Sequence, residues 1–455
     1  MIDYFEYFVF NKPKQQKPMA KPLPLTDLTA IANSSALLAL NKRQTLVDDI
    51  KTHMSWPKSE FDQFAQPVLD HFFNYCQQLP ESQISFYGHP GGLLDYSLNR
   101  CEAAMAIFRG YLIPDDQGGY SEIQRLWQYA LYSAALLKGI GKLWLDFTVK
   151  VYDDNGHFLS DWNPLCESLA SKGSHYQYHF VKNTDDDFRR RLNLFIARQI
   201  MPVSGFNWIA SNAEVLAAWL ALLHEDPYRA GTLGLVLINS DAIAIKRYLH
   251  RLTLGGAAAG TGGRTFNRLA SFSHKSKNSL IKAEQEVGVA FIEWMVQSIE
   301  SGKLMINKAP LMMVPGGLIM HSDMFKYFIR ENPHFKNWQA IEMGLLNLGL
   351  HQVGPNGKTN QRFELNNGQS IIDGIVIKDY AVLLPEKAHV MNPNTGETYQ
   401  LSSTELINQA HNLAYYEKMG AAPTVAQVQA LNSKGNWQQA SLEAISLKPD
   451  LVHRG

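Results

Sequence analysis

The chain has 455 residues, too many for one ordinary core, and its composition, 45% hydrophobic and 18% charged, excludes a disordered protein. The 42 Lys and Arg balance the 42 Asp and Glu, so there is no overall positive field to attract nucleic acid. Cys76, Cys101 and Cys166 are far apart, which excludes a CxxC zinc knuckle or a disulfide scaffold and suits a reducing compartment.

Residues 1–29 form a lead-in. MIDYFEYFVF holds an aromatic cluster with two acids, and NKPKQQKPMAKPLPL follows with four prolines and four lysines. A signal peptide would put positive charge first and then a longer apolar run. No apolar run reaches the roughly 18–20 residues of a membrane span. The expectation is a cytoplasmic protein, recruited to the inner membrane face only through partners. Phe5, Phe8 and Phe10 are candidates for docking on a partner or for covering the protein's own surface.

From 30 to 250 the pattern is helical. LVDDIKTHM, FDQFAQPVLDHFFNYCQQL, LDYSLNRCEAAMAIFRGYL and IQRLWQYALYSAALLKGIGKL carry apolar residues at three and four spacing. Leu126, Ala130, Ala134 and Leu137, widened by Trp127, Leu131 and Ala135, predict a mostly buried helix. GHPGGLLDYSLNRC reads as a tight turn entering a helix. LDFTVKVYDDNGHFLS reads as a small hairpin. HYQYHF carries His175 and His179, which share a face whether the segment is helix or strand. The adjacent DDD and RRR of 185–191 largely cancel and read as a solvated helix start.

Residues 251–283 turn to Gly, Ser and Lys and mark a linker. Its GGAAAGTGGR lacks the GK[ST] ending and the preceding strand of a phosphate-binding loop. From 284 to 385, three helices precede strands around an NNG turn, the order of a winged helix. Its candidate recognition helix offers Asn337, Gln339, Glu342 and Asn347 without Arg or Lys, and the wing only Lys358 and Arg362. That favours protein docking over nucleic acid. Residues 386–455 read as a polar tail.

The run RQTLVDDIKTHMSWPKSEFDQFAQPVLDHFFNYCQQLPESQISFYGHPGGLLDYSL resembles the N-terminal domain of MobH-class, TraI-like conjugative relaxases. The similarity continues through LLKGIGKL and GFNWIASNAEVLAAWLALLHEDPYRAGTLGLVLINSDAIAIKRYL into WMVQSIESGKLMINKAPLMMVPGGLIMHSDMF. It implies a mainly α chain, with an all-helical HD-like domain over 30–250 and an α+β winged-helix domain over 284–385. The family's metal site would place a His at Tyr96, a His-Asp pair at Lys138 and Gly139, and the last Asp at Asp241. Imidazole and carboxylate hold a divalent ion that activates water against a phosphodiester. A tyrosine hydroxyl keeps its proton at neutral pH, an ammonium has no lone pair, and glycine has no side chain.

The resemblance therefore implies a degenerate site with no metal and no cofactor. Lys138 either pairs with Asp241 or extends to solvent. A relaxase-like scaffold or adaptor follows as the expectation, partnered by the coupling ATPase or other proteins of a type IV secretion or conjugation complex. Two alternatives stay open. One is an active metal-dependent relaxase or phosphodiesterase with a rearranged site at His89, His224, Asp226 and Asp241. The other is a DNA-binding accessory protein acting through the winged helix.

Overall fold

The computed structural model describes residues 21–83, 86–114, 119–181, 185–257, 277–314, 317–353, 358–365, 370–392 and 395–407. Phe5, Phe8 and Phe10 lie outside them, as does most of GGAAAGTGGR.

The first region opens with β1 (Thr29–Ala30), α1 (Ser34–Leu38) and α2 (Arg43–Met54). A short α3 (Lys58–Glu60) widens into a π turn at Phe61–Ala65 before α4 (Gln66–Cys76). Pro67, which has no N–H to donate, stands just inside α4, where a helix start tolerates it. Then come α5 (Gly92–Arg109), α6 (Glu122–Leu137) and α7 (Lys142–Leu145). Ser121 and Gln124 form a reciprocal capping box that fixes the start of α6. Nearly every side chain of α5 is buried, because α2, α6 and α11 pack around it.

The expectation of an all-helical first region is corrected here. Between α7 and α8 run β2 (Phe147–Tyr152), β3 (Phe158–Asp161) and β4 (His175–Phe180). With β1 they make an antiparallel sheet in the order β1-β4-β2-β3. The predicted hairpin is thus half of a larger sheet. HYQYHF is one of its two inner strands, and the register Val151↔Tyr176 and Val149↔Tyr178 sets one face on the core. Thr148↔His179 and Lys150↔Gln177 form the other face. The helices resume with α8 (Asp186–Ile200), α9 (Val203–Ala210), α10 (Ala213–Leu223) and α11 (Thr232–Ala257).

The second region opens with α12 (Lys277–Glu300). The expected linker is therefore shortened at both ends by helix. A hairpin follows, β5 (Leu311–Val314) and β6 (Gly317–Met320), then α13 (Asp323–Glu331), α14 (Trp338–Asn347), β7 (Asn360–Leu365) and β8 (Ser370–Ile377). The four strands pair antiparallel in the order β5-β6-β8-β7. At the contact of α12 with α14, a Cβ on Gly288 would stand 2.3 Å from the Gly344 carbonyl oxygen, so only glycine permits this spacing.

The expected polar tail does not begin at 386. β9 (Lys387–Met391) and β10 (Thr398–Ser402) form a hairpin, and Ala388, Val390, Leu406 and Ile407 are buried. The segment reads as polar because only one side of the hairpin carries apolar residues, an alternation that suits a half-covered pair.

Two large cores result. The first gathers α2 to α10 and the inner sheet face, with Trp219, Tyr129, Tyr132, Phe72 and Phe73 buried. The second joins the C-terminal helices and sheet to Tyr87 and Tyr96 and to Ala242, Ile245 and Leu249 of α11. Among the described residues no single helix is long and apolar enough to cross a membrane; α9 and α10 pass only as a pair bent by 116°. In α10, Trp219, Leu222 and Leu223 are spent on the first core.

Candidate functional site

The GHPGG turn sets α5 in place. Gly91 has φ +74°, and a Cβ there would meet the Arg43 guanidinium at 2.3 Å. On Gly92 it would meet the Tyr87 carbonyl oxygen at 1.8 Å. Arg43, fully buried, donates through Nε to Asp95 at 2.6 Å and through its terminal nitrogens to the carbonyls of Leu37 and Gly91 at 2.9 and 3.1 Å. Asp95 also accepts from Asn41 at 2.9 Å and faces His89 Nε2 at 2.7 Å. Burial alone would raise the Asp95 pKa, but the His89 and Arg43 contacts outweigh it and hold the carboxyl below its usual value.

One step along α5, Tyr96 and Arg100 project from adjacent turns toward α11. Tyr96 Oη donates to Asp241 Oδ1 at 2.8 Å, and an Arg100 terminal nitrogen lies 3.3 Å from the same oxygen. Lys138, the residue that ends α6, donates through Nζ to Asp241 Oδ2. Arg100 also donates to the carbonyls of Ala135 at 2.6 Å and Lys138 at 3.0 Å, the unpaired acceptors at the α6 C-terminus. Its guanidinium lies over the Tyr96 ring, 4.8 Å from the centroid.

Tyr96, Arg100 and Asp241 are buried, while the Lys138 side chain keeps 24% exposure. Burial would raise the Asp241 pKa, yet the charges of Lys138 and Arg100 and the hydrogen bonds from Lys138 and Tyr96 hold it below the ordinary carboxylate value. Burial, then the Asp241 charge, pushes the Tyr96 phenol well above its usual value, so it stays protonated and donates. Gly139 takes φ +76° and brings no side chain. Nearby, Glu225 accepts from Asn193 at 3.1 Å and faces Arg189 at 3.6 Å. Lys142 pairs with Glu81. From the second region Asp379 feels the negative charge of Asp241, and burial first, then that charge, raises its pKa.

A divalent ion needs several imidazole or carboxylate donors on one centre. Tyr96, Lys138, Gly139 and Asp241 do not supply them: both Asp241 oxygens already accept from cationic or phenolic donors. Among the described residues no three or more His, Cys, Asp or Glu side chains converge as a ligand set. Of the rearranged set, His89 is engaged with Asp95, His224 ends α10, and Asp226 lies 3.6 Å from Arg229.

In the second region, Asn337 spends its side chain capping α14 through the Gln339 N–H. Glu342 and Asn347 are half-buried, and Trp338, Gln339 and Met343 are exposed.

Arg100 and the Asp95 cluster were not anticipated from sequence. An arginine four residues after Tyr96, and so on the same face of the helix, was the available signal for Arg100. Nothing in the sequence spacing ties Arg43 to Asp95.

Residues 29–271 match a family model described as "Putative helicase", TraI_2. Residues 286–397 match one described as "Putative conjugal transfer nickase/helicase TraI C-term". No curated protein matches the chain.

Proposed function

The chain belongs to the TraI family of conjugal transfer proteins, and from that premise we propose that it is a relaxase-like scaffold whose HD-type metal site has been replaced by a buried ion cluster. The observation that carries this reading is the Asp241 carboxylate held by Lys138, Arg100 and Tyr96. In this reading the Lys138 ammonium takes over the structural role of the missing cation. It supplies positive charge to Asp241 but no site for a water to be activated. Tyr96 and Gly139 occupy the remaining ligand positions of an HD-like helical domain, and the second region is a winged helix.

The protein would act by binding, as an adaptor in a cytoplasmic complex with the coupling ATPase or other proteins of a type IV secretion or conjugation system. This partner class rests on family analogy. The exposed face of α14 supports protein over DNA as the ligand of the second region, since Trp338, Gln339 and Met343 offer apolar area and no phosphate-pairing charge.

The test is elemental analysis of protein purified without chelator or a metal-binding tag, alongside single-strand DNA cleavage with added manganese. The expected result is no stoichiometric metal and no cleavage. Near-stoichiometric metal, with cleavage that Asp241→Ala abolishes, would overturn the scaffold reading.

A further inference from the structure

A cleft of about 310 Å3 lies where the first region meets the second. The loop before α5, the ends of α7 and β4 and the start of α8 form one side, and Gly349 and Lys378 of the second region the other. Its volume is at the small end of the roughly 300–1,000 Å3 of ligand pockets.

Most charges in the cleft are already paired. Lys142 holds Glu81, and Arg189 faces Asp186 at 3.3 Å. Asp185 accepts from the Phe188 N–H at 2.9 Å and so caps α8. Two charges are left over, one of each sign. Asp146, at the end of α7, and Lys378, just after β8, have no hydrogen-bond or ion-pair partner for their side chains among the described residues. Burial raises the Asp146 pKa ahead of the opposing charges of Lys142 and Arg189, as expected of a carboxylate that has lost water and gained no partner. Two further atoms are incomplete: Glu81 Oε2, an acceptor, and Arg189 Nε, a donor, are buried without a hydrogen-bond partner. The rest of the lining includes two aromatic rings. Phe86 packs on Tyr96 at 5.3 Å between ring centroids and Phe180 on Phe147 at 5.0 Å, so both are fixed before anything binds.

We propose that this cleft binds a free α-amino acid with an apolar or aromatic side chain. Its ammonium would meet Asp146 and Glu81, its carboxylate Lys378 and Arg189, and its side chain Phe86 and Phe180. The leftover charges select a zwitterion, because a ligand of one charge leaves the group of like sign without a partner. The small volume suits a single residue rather than a peptide. Asp146 and Lys378 come from different regions, so the bound molecule ties the two together.

Isothermal titration of the full-length protein with L-phenylalanine tests this. The expected result is one site of roughly millimolar or tighter affinity. N-acetyl-L-phenylalanine and L-phenylalaninamide, which each lack one of the two charges, should bind at least tenfold more weakly. Asp146→Asn and Lys378→Met should each weaken L-phenylalanine at least tenfold while the melting temperature of the unliganded protein holds, since neither side chain has a structural partner. No heat from L-phenylalanine, L-leucine or L-methionine, at concentrations that reveal millimolar binding, would overturn the proposal. Equal affinity for L-phenylalanine and either derivative would overturn it by assigning a ligand of one charge. Affinity unchanged in both variants would put the amino acid elsewhere on the protein and overturn it too.

Discussion

Replacing Lys138 by methionine keeps most of the aliphatic stem and removes the ammonium from Asp241. Breaking a buried pair on one side costs about 3–5 kcal/mol, because the orphan charge stays desolvated. Here the low end applies: Lys138 is 24% exposed, and Arg100 and Tyr96 still bind the carboxylate. With an unfolding entropy of order 0.8 kcal/mol/K for a chain of this size, about 3 kcal/mol lowers Tm by roughly 4 °C. The pH dependence follows from the depressed Asp241 pKa. A carboxylate held below its unfolded value adds stability that is present above the unfolded pKa and is lost as pH falls through the folded one. Lys138→Met forfeits part of that stability, so the gap to the parent protein should be full near pH 7 and close in acid as Asp241 takes up its proton. Differential scanning fluorimetry from pH 7.5 downward measures both. Adding Asp241→Asn should recover part of the loss, since the orphan charge is then gone. An unchanged Tm at pH 7.5 would show that Lys138 does not support Asp241, and the replacement of a cation by an ammonium would fall with it.

Arg43→Met should cost about 3–5 kcal/mol, because Asp95 stays buried without its guanidinium partner and the Leu37 and Gly91 carbonyls lose donors; an unshifted urea midpoint would refute this. Gly288→Val should drive α12 from α14, since the added Cβ would meet the Gly344 carbonyl at 2.3 Å. A loss of about 1–3 kcal/mol is expected, together with faster hydrogen exchange in α14; normal protection there would show that the helices tolerate the added bulk.

The helices that build the first core were legible because their apolar spacing is local: α2, α4, α5 and α6 announce themselves within a dozen residues. The sheet was only half legible. β2 and β3 are joined by DDNG, but β1 has two residues and pairs with a strand more than 140 positions away. No local periodicity marks so short an edge. β9 and β10 were hidden because Lys387 and His389 alternate with the buried Ala388 and Val390. Of the candidate site, Tyr96, Lys138 and Asp241 stood out through their positions in a resemblance rather than through any pattern of their own. Arg100 did not, because a buried arginine is recognised by what surrounds it, and its acceptors come from α6 and α11.

The second core has a consequence for how this protein can be taken apart. Tyr87, Tyr96, Ala242, Ile245 and Leu249 precede the glycine-rich boundary in sequence but pack among the residues that follow it. Cutting the chain there would separate the two stretches matched by different family models and leave each with an apolar wound. The N-terminal piece would expose one side of α5 and α11, and the C-terminal piece would lose the wall against which its sheet and helices close. Such fragments should be poorly soluble alone and should recombine when refolded together. The unit that folds is then the pair, and a lesion in either half reaches the other through shared packing.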